Sequence, residues 1–356
     1  MLPRMSRGTP VASLMVVALA VAASACGDET PATTTSSSTS SAGGASGQGG
    51  SGAPGGAGAS ASTGGAGTGG QGAGPVDTCG IGSFGGGAGG IGGVPTGPVR
   101  VVAANLSTGN NQAYDGGEGI RILQGLDADV VLIQEMNFGS DSQASIDVLV
   151  ENICEGDCVY ERGPQAQIPN GVISRFPILE CGSWVDPEVD NRNFVWARID
   201  VPGDADLWAI SVHLLSSQAS RRQLEAIALM AEINGSIPSA DLIVLGGDLN
   251  TNSRGEAAVG TFSALFDTSG PYPQDQNGND NTNEPRSRPY DWVLADDELT
   301  PFAIPTTIGQ TVFPFGAVID TRVYQPLAEI APAQVGDSGA PSMQHMAVVR
   351  DFLIAP

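Results

Sequence analysis

Residues 241–251 read Asp-Leu-Ile-Val-Leu-Gly-Gly-Asp-Leu-Asn-Thr. An unbroken apolar run over 242–245, stopped by two glycines, reads as a strand buried on both faces. Polar Asp248 and Asn250 follow at once. Working outward, 129–134 (DVVLIQ) repeats the pattern and ends on Glu135, 207–213 ends on His213, and 99–105 ends on Asn105. Further strands are predicted over 171–174, 178–185, 194–200, 291–294 and 346–353. Pro202-Gly203-Asp204 supplies a tight turn between two of them. Helices are predicted over 119–126, 146–153 and 221–233, the last with apolar residues at 224, 227, 228 and 230. Hairpins in the middle and helix-linked strands outside predict an α/β fold, two packed sheets with helices on their outer faces.

That pattern occupies residues 99–356, enough for one well-buried domain. The chain of 356 residues is longer, and its remainder has another composition. Of its 50 Gly, 27 fall in residues 27–97, without the three-residue period of collagen. Gly, Ser, Thr and Ala with almost no large apolar side chains cannot bury enough surface to fold, so 26–98 is expected to be a disordered tether, interrupted by Ile81, Phe84 and Ile91. Before it, Arg4 and Arg7 precede an apolar run, 11–23, too short to span a bilayer. Residues 1–25 therefore read as a secretory signal. Ala23-Ser24-Ala25-Cys26 resembles a bacterial lipobox, which implies a lipid on Cys26 and anchoring at the outer membrane or cell surface. Plain secretion is the alternative. Four further cysteines, Cys79, Cys154, Cys158 and Cys181, suit an oxidising compartment and two disulfides. Of three connectivities we favour Cys154–Cys158 with Cys79–Cys181. Zinc has no nearby His to support it.

Every basic residue is Arg, and the formal net charge of −23 argues against binding DNA or anionic lipid through a basic face. The polar residues at strand ends are Asn105, Glu135, His213, Asp248, Asn250, Asp291 and His345. Each alone could be a turn cap or a solvated strand end. The two histidines tip the balance: the chain has only two, and both stand in that set.

In order, VVAANLSTG (101–109), DADVVLIQE (127–135), SVHLLSS (211–217), GGDLNT (246–251), RPYDWVLA (288–295) and QHMAVV (344–349) resemble the endonuclease/exonuclease/phosphatase superfamily. The resemblance implies a four-layered α/β sandwich and a hydrolase that cleaves phosphoester bonds with a divalent cation, usually magnesium, with manganese or calcium as alternatives. It implies Glu135 as the main metal ligand, aided by Asn105, and His345 as the catalytic histidine supported by Asp291. Asp248 and Asn250 would hold the attacking water and phosphoryl oxygens, and His213 would place a second imidazole on the phosphate. One departure is plain. The family commonly ends in Ser-Asp-His, where this chain has Met343-Gln344-His345. Asp337 is a candidate to replace the missing charge.

The substrate is expected to be a phosphodiester: nucleic acid, phospholipid or a small phosphoester, the last two including an inositol phosphate. Arg175, Arg222 and Arg288 are candidates to bind it, and 267–288 is the loop expected to shape the pocket. A catalytically silent binding domain of the same fold is the alternative, supported by Gln344 alone. The domain is expected to act as a monomer.

Overall fold

Alternate side chains of a strand point to opposite faces, so a strand with consecutive apolar residues must be covered on both faces. Val99–Ala104 (β1) meets that demand: Val101 and Ala103 enter one apolar cluster while Val102 and Ala104 enter another. The structure, a computed structural model, describes Cys79 and residues 97–109, 112–156, 158–164 and 166–354. The expected signal of 1–25 and almost all of the expected tether of 26–98 lie outside the described residues.

After β1 come helix α1 (Glu118–Leu126), β2 (Val130–Ile133), α2 (Gln143–Cys154), β3 (Val159–Arg162), β4 (Gly171–Ser174) and β5 (Ile178–Trp184). Next are β6 (Phe194–Ile199), β7 (Leu207–His213), α3 (Ala219–Ser236), β8 (Leu242–Asp248), α4 (Ala257–Phe262) and β9 (Asp291–Ala295). Short strands β10 (Ala303–Ile304), β11 (Thr306–Ile308), β12 (Thr311–Phe313) and β13 (Ala317–Ile319) precede β14 (Ala347–Phe352). One sheet runs β10-β14-β1-β2-β4-β3 with β13 also on β14, and the other runs β5-β6-β7-β8-β9.

The two sheets pack face to face through Val101, Leu132, Val172, Ala209, Val244 and Val293. Ile122 and Leu123 of α1, with Leu149 of α2, cover the outer face of the first sheet. Leu229 of α3 and Phe262 of α4 cover the outer face of the second. This is the expected four-layered α/β sandwich.

Each sheet contains one parallel pair, β1 with β2 through α1 and β7 with β8 through α3. Each pair is flanked by antiparallel strands, β14 beside β1 and β9 beside β8. Parallel neighbours end at the same level, so their carboxyl ends place Asn105 with Glu135 and His213 with Asp248. Close approach of the sheets depends on Gly246, where a Cβ would meet Leu132 Cδ1 at 2.8 Å and the Trp292 carbonyl at 2.7 Å. At Gly247, φ of +136° and a Cβ 2.1 Å from the Val212 carbonyl exclude any side chain.

Several boundaries differ from the sequence reading. The strand expected to stop at 245 runs through both glycines to Asp248, because Gly246 and Gly247 still pair with β7 and β9. The helix expected over 221–233 extends from Ala219 to Ser236. Cys79 is joined to Cys181, and Cys154 to Cys158. Among the described residues no helix is long and apolar enough to cross a membrane.

Candidate active site

The strand-end residues meet on one atom. Oδ2 of Asp248, the last residue of β8, lies 3.1 Å from Asn105 Nδ2, 3.1 Å from Asn250 Nδ2, 3.2 Å from His213 Nε2 and 3.4 Å from His345 Nε2. These groups come from the ends of β1, β8 and β7 and from the residue two before β14, so both sheets contribute. Asp248 Oδ1 accepts from the Asn250 amide at 2.8 Å. Asn250 Nδ2 also donates to the Leu214 carbonyl at 2.9 Å. His345 Nδ1 stands 3.0 Å from Asp291 Oδ2, which fixes that ring between two carboxylates. Asp291 is in turn held by its own amide donating to Thr282 Oγ1 at 2.7 Å.

Glu135 stands at the edge of this group. It accepts from Asn105 Nδ2 at 3.4 Å, from Gln112 Nε2 at 3.0 Å and from Ser107 Oγ, and it lies 3.9 Å from His213 Nδ1. Glu135 and Asn250 both have left-handed backbone, φ 52° and 51°. Such conformations cost a non-glycine residue about 1–3 kcal/mol and persist where the surroundings impose them. Tyr114 is one source of that constraint. Its hydroxyl lies 3.2 Å from the Ala104 carbonyl, 3.1 Å from the Gln134 carbonyl and 3.1 Å from the Leu106 amide, tying the two chain segments that carry Asn105 and Glu135. Below the site Gln134 Nε2 donates to Ser211 Oγ at 2.9 Å, and Ser211 Oγ donates to the Ile133 carbonyl at 2.9 Å, linking β2 to β7 across the sandwich.

Burial and charge divide the roles of the two imidazoles. Burial works against the charge of His345, but Asp291 and Asp248 hold it protonated, its pKa pushed up to about 10. His213 moves the other way. Burial, followed by the nearby Arg192 guanidinium and His345, pushes it well below the usual histidine range, so it is neutral. Burial raises Asp248 to about 6, the attraction of His345 opposing it. Burial raises Asp291 and Glu135 as well.

Three buried carboxylates facing one imidazolium leave an excess of negative charge, and hard oxygen donors are the chemistry a divalent cation takes. Asp248, Asp291 and His345 offer ligand atoms within 4.8 Å of one another. Asp291 and His345 already satisfy each other, however. The carboxylate and amide of Glu135 and Asn105 remain the better oxygen pair, since rotating the Asn105 amide by half a turn presents Oδ1 in place of Nδ2.

The candidate arginines fare differently from the acids and histidines. Arg175 is no part of the site: it pairs with Asp127 at 2.7 Å and donates to the Ala128 carbonyl, at the end of β2 away from Glu135. Arg222 is also excluded, being fully buried with its guanidinium on Glu256 and the Leu215 carbonyl. Arg288 does reach the site's rim. It is exposed, donates to Asn252 Oδ1 at 2.7 Å, and lies 3.4 Å from the Tyr290 hydroxyl, whose ring sits 5.6 Å from that of His345. Asp337 does not replace the missing carboxylate, since it pairs with Arg121 at 2.6 Å. Gln344 is exposed and meets the loop through its carbonyl, which accepts from the Glu284 amide at 2.7 Å. The loop of 267–288 does border the site: Met346 donates to the Thr282 carbonyl, and Asn283 bridges to His345.

Buried Arg192 supports the site, donating to the His213 carbonyl at 2.5 Å and to the Leu214 carbonyl at 3.0 Å. Three contributors were not singled out from sequence: Ser107 and Gln112, which bind Glu135, and Tyr114, which pins two strand ends. Of these, Ser107 had the only local signal, its place two residues after Asn105.

A sequence model of the Endonuclease/Exonuclease/phosphatase family matches residues 120–313. Two solved structures are similar in fold, family proteins from Bacteroides thetaiotaomicron and Bacteroides vulgatus. Identities are 17% and 13%, and each alignment covers 72% of this chain and 98% of the other at a TM-score of 0.50. No curated protein matches the chain. The matched segment is more than half of the sequence, and the chain belongs to the endonuclease/exonuclease/phosphatase family.

Proposed function

We propose that this family member is an exported, divalent-metal-dependent phosphodiesterase, acting as a monomer held at the cell envelope through Cys26. The observation that carries the catalytic part is the convergence of Asn105, Asn250, His213 and His345 on Asp248 Oδ2. A carboxylate raised to about 6 and surrounded by donors is suited to take a proton from water near neutral pH. The donors around it would then face the phosphoryl oxygens.

Glu135 and Asn105 would hold the cation, magnesium before manganese or calcium. When bound, the cation supplies positive charge beside the phosphoryl group, where this acidic domain has little of its own. His345, kept cationic by Asp291, donates from Nε2 to a phosphoryl oxygen on which charge accumulates. His213 is neutral. With Nε2 donating to Asp248, it orients the base. Asn250, fixed by the Leu214 carbonyl, offers its amide to the same oxygens.

Export and anchoring rest on the sequence of residues 1–26. The two disulfides agree with that compartment. The test is hydrolysis of bis(4-nitrophenyl) phosphate by the full chain with magnesium, with chelator, and after Glu135→Gln. Near-complete loss in both controls, with the fold retained, is expected. Undiminished turnover in chelator or in the variant would sink the assignment.

A further inference from the structure

The domain of 99–356 has 13 Arg, the chain's 15 less Arg4 and Arg7, and 35 acidic residues, the chain's 38 less Asp28, Glu29 and Asp77. There is no lysine. Ten of those arginines end on a carboxylate within 3.3 Å, as Arg222 does on Glu256 and Arg254 on Asp280. Two more are turned onto the protein itself. Arg192 is buried on the carbonyls of His213 and Leu214, and Arg350 donates to the Val293 carbonyl beside the Phe352 ring. Arg288 is the remaining one. Among the described residues it is the exposed guanidinium without a carboxylate partner, and its contacts are the neutral Asn252 and Tyr290. Because the Tyr290 ring packs against His345, that one cation stands at the mouth of the site.

This distribution decides between substrate classes. A protein that holds a nucleic acid neutralises several phosphates in a row, and its affinity falls with salt with a logarithmic slope of about −0.9 per phosphate. Here the groove can neutralise about one, and the surrounding charge, a net −22 from the counts above, repels each further phosphate within a Debye length of about 8 Å. Resting on the phosphodiesterase reading of this site, we propose that its substrate is a small phosphodiester whose alcohols carry no further negative charge. Its single negative charge is caught by Arg288, and the substrate is not a polyanionic nucleic acid. The same isolated phosphodiester occurs in soluble glycerophosphodiesters and in phospholipid headgroups.

The test uses the full chain with magnesium and has a binding arm that needs no turnover. Anisotropy of fluorescein-labelled single- and double-stranded 20-mer DNA is followed from about 50 to 200 mM salt. The expected result is binding no tighter than about 100 µM, weakening about three- to fourfold over that range. Micromolar binding with a slope steeper than about −3 would overturn the proposal, whether or not the enzyme turns over. Failure to hydrolyse any phosphoester would instead sink the reading of the site.

In the kinetic arm, bis(4-nitrophenyl) phosphate and glycerophosphoglycerol are compared with phosphatidylcholine vesicles and with DNA. Preference for the soluble diesters or for the vesicles identifies the source of the phosphodiester. A higher kcat/KM on DNA than on every isolated diester refutes it. Arg288→Gln should raise KM for the favoured diester about tenfold with kcat within about threefold, and Arg288→Lys should restore most of the loss. An unchanged KM in Arg288→Gln would remove Arg288 from the proposal.

Discussion

Replacing Asp291 by Asn removes a carboxylate whose Oδ2 stands 3.0 Å from His345 Nδ1 and changes little else, because the amide that donates to Thr282 is backbone. At an effective dielectric of about 20, a charge pair at that distance is worth about 5–6 kcal/mol. That corresponds to roughly four pKa units. From about 10, His345 would fall to about 6, taking it from cationic to mostly neutral at working pH. Two consequences separate this from a general weakening. Turnover of bis(4-nitrophenyl) phosphate at neutral pH should drop by about 10²–10⁴ in kcat with KM little changed. In addition, the rate should pass through a maximum near pH 6, where Asp248 is becoming ionised and His345 still holds its proton, and fall at higher pH, a limb the parent lacks near neutrality. With two histidines in the chain, NMR of the imidazole rings can follow the shift directly, using His213→Gln to assign the signals. Rates within threefold of the parent and an unmoved His345 titration would refute the argument that Asp291 keeps this imidazole charged.

His213→Ala and His345→Ala should each lower kcat by about 10²–10³, and the double variant by less than the product, since both rings lie against the same Asp248 oxygen. A fully multiplicative loss would mean that they act independently. Tyr114→Phe leaves the Leu106 amide without its partner and should cost about 1–3 kcal/mol in chemical denaturation. Turnover should also fall, because Asn105 and Glu135 are no longer tied. Glu225 is buried and both its oxygens accept from the Leu215 amide, with burial and the neighbouring Asp186 raising its pKa to about 8. An acid raised in the folded state binds its proton more tightly there. Stability from this group is therefore full below the unfolded value near 4.5 and is lost as pH rises through about 8, by up to about 5 kcal/mol. Glu225→Gln, which mimics the protonated carboxyl, should raise Tm at pH above about 8 and flatten the profile, and a scanning-calorimetry series with the parent's slope would refute it.

The positions of the large strands were legible because their apolar runs demand burial. Leucine, isoleucine and valine at consecutive positions in 130–133 and 242–245 must be covered on both faces, and a layered sandwich does that. The strands between Ala303 and Ile319 were not legible. Each has two or three residues, and β10 and β13 pair with the distant β14, as Ala303 does with Phe352. The arginines failed for a related reason. Nothing near Arg222 in sequence indicates that Glu256, 34 residues on, takes its guanidinium, or that Arg121 and Asp337 meet across 216 residues. A cation's identity is written in the sequence, but whether it is free for substrate depends on a distant partner.

The site residues were legible for a different cause, which also explains what the fold does for them. Asn105 with Glu135, and His213 with Asp248, end the two parallel strand pairs. Parallel pairs are recognisable from a helix between two apolar runs, and their carboxyl ends coincide without further instruction. Neither pair is a site alone. They become one because Gly246 lets Leu132 of the other sheet approach within a distance that a methyl group would block, and because Gln134 and Ser211 bind across the gap. The contacts from Asn105 and His345 to Asp248 therefore depend on the spacing of the two sheets. A residue that sets that spacing is part of the geometry of the candidate site even though it would touch no reacting atom.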